Sequence, residues 1–477
     1  MNQNQLHYLT KNTHEAYKSK EAIQKLVHYS YRGGQSYKDN EFLHKYTERE
    51  TSESYKDRKK RSIYFNNVQP LADMMVGFLH TYDVSRSKIK NQEFMLDANN
   101  YDDFNSLMIK IATTSILTTT GILVDSPKFN DDDITEARRI ELGLKPIVNL
   151  YEPWKIRNYY INKQGKLEWL ILDNSYIKND DPFSEQETIY SYRLWTQTTY
   201  QDFYSYNQSE WIESEEFVNP IGEIPFIFGN WTDIWNEHIT DTTFEDIALF
   251  DQSIYNYMSL FDENMYAGTF KMLFWPGKID EQVKTSSLRN MSTVSFDPTS
   301  SNVPFFSSPK LEDMSNFLSA IDFLIIGILR KLGLNTDHEK NYSQSGIAKS
   351  FDFKKVKAFL AAGASSMENI EKSILYYAGL WMNIDDSKAE IEYNKDFLGE
   401  EQEQEFMNLI TAMASMPDEL YKKEAQKRIA ELTLKNIPED TKKAIDESID
   451  ADEPEEQISN DDIQNLANEE TEDENND

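Results

Sequence analysis

The sequence predicts an α+β chain with helices on both sides of a central β segment. Three observations carry this. From about residue 111 to 232, short runs rich in β-branched and aromatic residues alternate with Asn, Asp, Gly and Pro clusters. Apolar residues recur at helical spacing over 243–266 and again over 309–333. With 27 Tyr and 26 Phe, the chain has enough bulky apolar surface to drive folding over most of its length.

The first hundred residues read as polar helices. Within them YKDRKKRSIYFNNVQPLADMMVGFL, from Tyr55, is a basic turn leading into an apolar helix begun or interrupted near Pro70. IATTSILTTTGILVD, from Ile111, is dense in β-branched residues and closes at Asp125-Ser126-Pro127, which predicts strand. VNLYEPWKIRNYYIN, KLEWLILD, TIYSYRLWT and IPFIFGNW continue the β segment. Thr242 and Glu245 then stand at capping-box spacing ahead of FEDIALFDQSIYNYMSLFDENM, whose apolar residues form one stripe.

Residues 267–308 are irregular or β, punctuated by Pro276-Gly277, Pro298 and Pro304. Ser308-Pro309 predicts an N-cap with proline at the first helical position. Leu311, Met314, Leu318, Ile321, Ile325, Ile328 and Leu332 follow at alternating spacings of three and four, with Gly333 as the C-cap. NYSQSGIAKSFDFKK, from Asn341, is a polar loop running into a helix that carries Ala361-Ala362-Gly363-Ala364-Ser365-Ser366 in its middle. Small residues there weaken a helix and predict a bend. Two further helices, divided at Pro417, occupy about 397–435.

Charge and composition bound the function. The chain has 477 residues and a net charge of −33, with 82 acidic against 49 basic residues. Residues 436–477 hold 17 acids and 2 lysines, a net of −15, which predicts a disordered acidic extension. The first 435 residues still carry −18, which argues against tight electrostatic capture of DNA phosphates as the main activity and leaves open a weak, sliding relation to DNA. There is no cysteine, hence no disulfide framework and no thiolate metal site. The N-terminus lacks the order of a signal peptide, and the most apolar window, 317–334, is interrupted by Asp322, Arg330 and Lys331. A soluble protein, intracellular where it is made, is expected.

No catalytic motif emerges. The seven histidines include no HExxH, and there is no GxxxxGK[ST] and no GxGxxG. Gly33-Gly34 reads as a turn, Ser345-Gly346 lacks the GxSxG frame, and Asp131-Asp132-Asp133 reads as solvated loop. No cofactor and no metal are implied. The Arg58–Arg61 run has two readings: a contact to phosphate or a neighbouring subunit, or a solvated face balanced by Glu48, Glu50, Glu53 and Asp57.

Taken in order, several segments resemble the portal proteins of tailed bacteriophages, in particular the shorter portal-like group. Tyr55-x-x-Arg58-x-x-Arg61-x-x-Tyr64-x-Asn66, followed by an apolar helix with Gly77, is similar to that family's helical entry. Gly121-Ile122-Leu123-Val124-Asp125-Ser126-Pro127 resembles its G-[VI]-L-V-D-x-P strand. Tyr151-Glu152-Pro153-Trp154-Lys155-Ile156-Arg157-Asn158-Tyr159 is similar to the next segment, with Tyr159 where tryptophan is usual. Gly222-Glu223-Ile224-Pro225-Phe226 resembles the turn before the first long helix. Ser345-Gly346-Ile347-Ala348-Lys349, with Phe351-Asp352-Phe353, resembles the S-G-x-A-x-x-F-D loop. The likeness covers roughly residues 50–385.

The resemblance implies a homododecameric ring around a DNA channel at one capsid vertex. In that fold 1–232 is a helical and β wing, 243–266 and 309–333 are stem helices, and 267–308 is the clip. Residues 335–350 are a tunnel loop, 353–382 a kinked tunnel helix and 397–435 a small helical crown. It further implies a channel for packaging, retention and ejection of double-stranded DNA, touched in passing by His338, Lys340, Asn341, Tyr342, Ser343, Gln344, Ser345 and Lys349. Partners would be the terminase large subunit, the major capsid and scaffold proteins and a head–tail adaptor, with no membrane. The location would be the virion, and the host cytoplasm during assembly.

Leu311, Ile321, Ile325 and Ile328 would pack the stem, leaving Phe317 and Leu324 as apolar surface for the next subunit. The stripe reads equally well as domain core, and the loop as an ordinary surface loop before an amphipathic helix. Two other functions fit the residues: an acidic carboxylate-dependent hydrolase of glycosidase type, or another head–tail connector ring.

Overall fold

The computed structural model describes residues 8, 11–45, 47–48, 50–98, 103–126, 145–179, 183, 185–232, 238–269, 272–276, 293–296, 303–307, 314–334, 346–395, 423–428 and 439–451. They form a mixed helix-and-sheet chain that divides into two compact units, Met1–Asp396 and Phe397–Asp477.

The first unit begins with α1 (Glu15–Arg32), α2 (Gly34–Lys38), α3 (Ser52–Arg61) and α4 (Val68–Leu79). Gly33 joins α1 to α2 at φ +60°, a conformation that favours glycine. Pro70 falls in the first turn of α4, where its missing N–H costs nothing. After β1 (Ser85–Ser87) and α5 (Gln92–Leu96) comes α6 (Phe104–Leu117).

Here the structure corrects the sequence reading. IATTSIL, expected as strand, is the second half of α6. Asp103 caps the helix by accepting the Ser106 N–H at 2.7 Å. Thr113 and Thr114 donate back to the carbonyls of Ile109 and Lys110, at 2.9 and 3.0 Å, so both hydroxyls are satisfied inside a helix. Leu107, Met108, Ile111, Ala112 and Ile116 bury one face. Strand starts only at β2 (Thr120–Asp125).

β2 is the centre of a three-stranded antiparallel sheet, flanked by β3 (Ile147–Tyr151) and β10 (Phe226–Gly229). A Cβ at Gly121 would lie 2.7 Å from the Phe226 ring, which explains glycine in GILVD. A larger antiparallel sheet runs β4 (Ile156–Ile161), β5 (Leu167–Asp173), β7 (Glu187–Thr196), β8 (Thr199–Ser205) and β9 (Ile212–Val218), with β6 (Tyr176–Lys178) also pairing β7. Leu170, Leu172 and Trp195 on one face join Tyr17, Ile156 and Phe226 in a shared core. Ile171, Tyr192, Phe203 and Trp211 cluster separately. Arg193 locks the two sheets together, pairing with Asp202 of β8 at 2.6 Å and Asp125 of β2 at 2.9 Å. The outermost strand, β9, carries Glu213, Glu215 and Glu216 and is irregular opposite Gln201–Phe203. There Ser214 offers its carbonyl to Gln201 and its hydroxyl to the Asp202 N–H.

α7 (Thr243–Thr269) is the first long helix. The expected capping box is replaced by other bonds: the Thr242 hydroxyl donates to the Leu117 carbonyl at 2.8 Å, and the Glu245 main-chain N–H donates to the Thr242 carbonyl at 3.1 Å. A small sheet follows, ordered β12 (Thr293–Phe296), β11 (Met272–Pro276), β13 (Phe305–Ser307). α8 (Met314–Lys331) then returns along α7, since Lys331 at its end pairs with Asp246 in the first turn of α7. Gly333, at φ +74°, closes α8 as expected. Its N–H bonds the Arg330 carbonyl at 3.1 Å and the Leu334 N–H bonds the Leu329 carbonyl at 2.9 Å, a complete Schellman motif. Ser308, Pro309 and Leu311 lie outside the described residues.

α9 (Gly346–Met382) is a single 37-residue element. It includes 346–350, which the sequence reading gave to the loop, so the helix starts seven residues earlier than expected. The residues from Gly346 to Lys354 include no proline, and the only glycine is the first, so nothing stops propagation toward the N-terminus. β14 (Glu390–Glu392) pairs with β1.

In the second unit, residues 423–428 are helical and α10 spans Glu439–Ala451. The acidic extension is therefore helical over its first third. Lys427 pairs with Asp450 at 2.7 Å and the Lys423 amine donates to the Asp450 carbonyl at 2.9 Å, offsetting the local negative charge.

Candidate functional site

The segment with the clearest functional geometry is the arm built from α7, the small sheet and α8. It is rooted in the body by polar contacts on one flank of α7. Arg58 is buried, and its guanidinium meets both oxygens of Glu50 at 2.8 and 2.9 Å, the Ser259 hydroxyl at 3.1 Å and the His44 carbonyl at 2.7 Å. Arg61 pairs with Glu263. The Arg58–Arg61 run thus contains two structural anchors to α7 rather than a purely solvated face.

About two turns before Ser259 on α7, Asp251 is fully buried and accepts from the Tyr64 hydroxyl and from the Asn67 side chain at 2.6 Å. Burial pushes its carboxyl up to about 6, against the pull of those bonds. Tyr64 stacks on Tyr37 with ring centres 3.6 Å apart, and Tyr255 meets Tyr37 edge-on at 5.3 Å. Arg58, Arg61 and Tyr64 form the clamp that holds the arm's first helix, while the Tyr55 hydroxyl donates to the Leu43 carbonyl at 2.7 Å. Near its start, burial raises Glu245 to about 7.

Away from this clamp the arm turns apolar side chains outward. On α8, Ile321, Ile328 and Leu332 are buried, and Phe317, Leu324 and Ile325 are half-buried. Leu318, part of the heptad stripe, is 48% exposed, and Phe323 is 70% exposed. Leu249 and Tyr257 on α7 and Phe306 on β13 are exposed too. Spacing alone did not single out Phe323, because it lies off the stripe.

The loop residues His338, Lys340, Asn341, Tyr342, Ser343, Gln344 and Ser345 lie outside the described residues. Lys349 lies in the first turn of α9, a helical position rather than a loop one. The small-residue run 361–366 serves packing. A Cβ on Gly363 would come 2.2 Å from two carbons of the Trp231 indole, and the Trp231 ring N–H donates to the Phe359 carbonyl at 3.1 Å. The run stands out in the sequence, but its partner lies more than a hundred residues away.

Among the described residues no group of three or more His, Asp or Glu side chains could hold a metal ion, and no helix is long and apolar enough to cross a membrane. A cavity of about 420 Å³ opens between the β4–β5 turn, β10 and α9, lined by Lys166, Glu223, Phe226, Phe228 and Tyr377 among others. Lys166 and Glu223 are paired at 3.2 Å at its edge. No family model matches the chain, and no curated protein matches it.

Proposed function

We propose that the chain is a portal-type subunit that assembles into a ring, passes double-stranded DNA through the central channel and carries no catalytic centre. The observation that carries the reading is the arm: an antiparallel pair of helices joined through a small sheet, with Phe323 70% and Leu318 48% exposed on α8. Large apolar side chains exposed along a helix pair are surface that water disfavours, and a repeated neighbour of the same kind would cover it. The acidic body fits a channel that lets DNA slide, because negative walls do not hold phosphates. The order of segments resembling portal proteins supports the same function, with terminase, capsid and adaptor proteins as partners at the capsid vertex.

The test is the mass of the purified full chain in solution, with negative-stain imaging. A ring of about twelve copies of the 55.8 kDa subunit is expected. A monodisperse monomer or dimer at physiological salt and micromolar concentration would overturn the reading. A ring that assembles but supports full DNA packaging after both Lys340 and Lys349 are changed to Glu would remove the channel role from the 335–350 segment.

A further inference from the structure

We propose that Asn230 and Trp231 form a coupling joint that ties the middle of α9 to the N-terminal threshold of α7, so that displacement of one is felt by the other. The two residues follow β10 and point different bonds in different directions. Trp231 is 2% exposed, and its main-chain N–H donates to the Ser115 carbonyl of α6 at 3.2 Å. Its indole lies against Gly363 and donates to the Phe359 carbonyl. In a regular helix that carbonyl accepts the N–H of residue 363, the very residue whose missing Cβ admits the ring. Trp231 therefore engages α9 at its backbone, where a shift of one turn cannot be absorbed by side-chain rotation.

Asn230 completes the joint. Its main-chain carbonyl accepts the Ser366 hydroxyl, one helical turn beyond Gly363. Its side-chain oxygen accepts from the hydroxyls of Thr119 at 2.6 Å and Thr240 at 3.1 Å, and its amide donates to the His238 carbonyl at 3.2 Å. Thr240 in turn donates its N–H to the Thr119 hydroxyl at 3.1 Å, three residues before α7 begins. Thr119, Asn230 and Thr240 are all buried.

A buried network of this kind is stable when every member is bonded and costly when one is not. It has one satisfied arrangement, so sliding α9 relative to β10 must break bonds that also position Thr240. The polar path from Ser366 through Asn230 to Thr240 is continuous, which gives the coupling a physical route rather than mere proximity. The inference does not depend on ring formation.

Hydrogen exchange by mass spectrometry on the full chain tests it, using Trp231→Leu and, as a milder probe, Ser366→Ala. Trp231→Leu should speed exchange at least tenfold both in 355–370 and in 243–250, with β7 and β8 unchanged. Ser366→Ala should move the same two regions by a smaller factor. The Trp231→Leu/Gly363→Ala double variant should exchange no faster in 355–370 than Trp231→Leu alone, since the clash has gone. Loosening confined to α9, or spread evenly over the sheets, would overturn the proposal. Should Trp231→Leu fail to fold, Ser366→Ala alone decides by the same criterion.

Discussion

Body and arm handle their costly side chains in opposite ways. In the body, arginines are drawn inside and paired: Arg58 with Glu50, Arg193 with Asp202 and Asp125, Arg86 with Glu371. Arg193 through Asp125, Arg86 through Glu371 and Arg58 through the Ser259 hydroxyl each reach an element far away in sequence, and the large aromatics Trp195, Tyr37 and Phe203 lie almost wholly inside with them. On the arm, Phe323, Leu318 and Leu249 face outward. A chain able to bury Trp195 completely does not leave Phe323 outside for lack of a core. The body too leaves large apolar side chains outside, Leu96, Ile63 and Phe65 among them, so the contrast is narrower: the body ties its elements together through buried ion pairs, whereas α8 carries Phe323 and Leu318 as surface suited to being covered by another molecule.

The contrast is broken most sharply at Glu371, which is fully buried and receives Arg86 and, at 2.9 Å, the Tyr393 hydroxyl. Glu371→Leu strands a buried guanidinium and should cost about 3–5 kcal/mol in urea unfolding. A loss below about 1 kcal/mol would show that the body does not depend on its internal pairs.

Asp251 sharpens the comparison at the root of the arm. Its folded-state value of about 6 lies above the ordinary 3.8, so the folded chain holds this proton more tightly than the unfolded chain does. That contribution is fully present below about pH 4 and is lost as pH rises through about 6. Asp251→Asn stays neutral and should gain on the parent by roughly 1–3 kcal/mol between pH 4 and pH 7. A stability difference independent of pH across that range would remove Asp251 as a titrating group.

Phe323→Asp separates arm from body. Folding stability below the assembly concentration should change by less than about 0.5 kcal/mol, as for other exposed sites, while the oligomer mass should fall. Ile328→Asp, at 1% exposure, should instead destabilise the subunit itself by several kcal/mol. Equal effects from the two would erase the distinction. The smallest effect is expected from deleting 452–477, which hold twelve acids, no basic residue and little apolar area. Both melting and oligomer mass should stay within error.

The α+β arrangement, the two long helices and the Gly333 cap are legible because each rests on local periodicity or local backbone demand. The helical nature of IATTSIL was not, because its threonines have high strand preference and are reconciled with a helix only by burial and by hydroxyls turned back onto the preceding turn. The clamp was half legible. Tyr55, Arg58 and Tyr64 stood out as a pattern, but Glu50 and Asp251, which give it meaning, are two acids among 82. Gly363 was visible as an oddity, yet its cause is a tryptophan brought in by tertiary packing. Phe323 is not legible in the sequence, because a single phenylalanine off a heptad stripe carries no pattern.

β9 has a consequence for handling the protein rather than for its folding. The outer edge of a sheet offers bare backbone groups to any passing strand, and its register irregularity and three glutamates are the devices that keep such strands away. Replacing Glu213, Glu215 and Glu216 by threonine would alter few contacts within the subunit, yet would leave a flat, uncharged β-forming edge. Loss of material to slow aggregation on storage, with melting temperature unchanged, is the form in which that edge would announce itself.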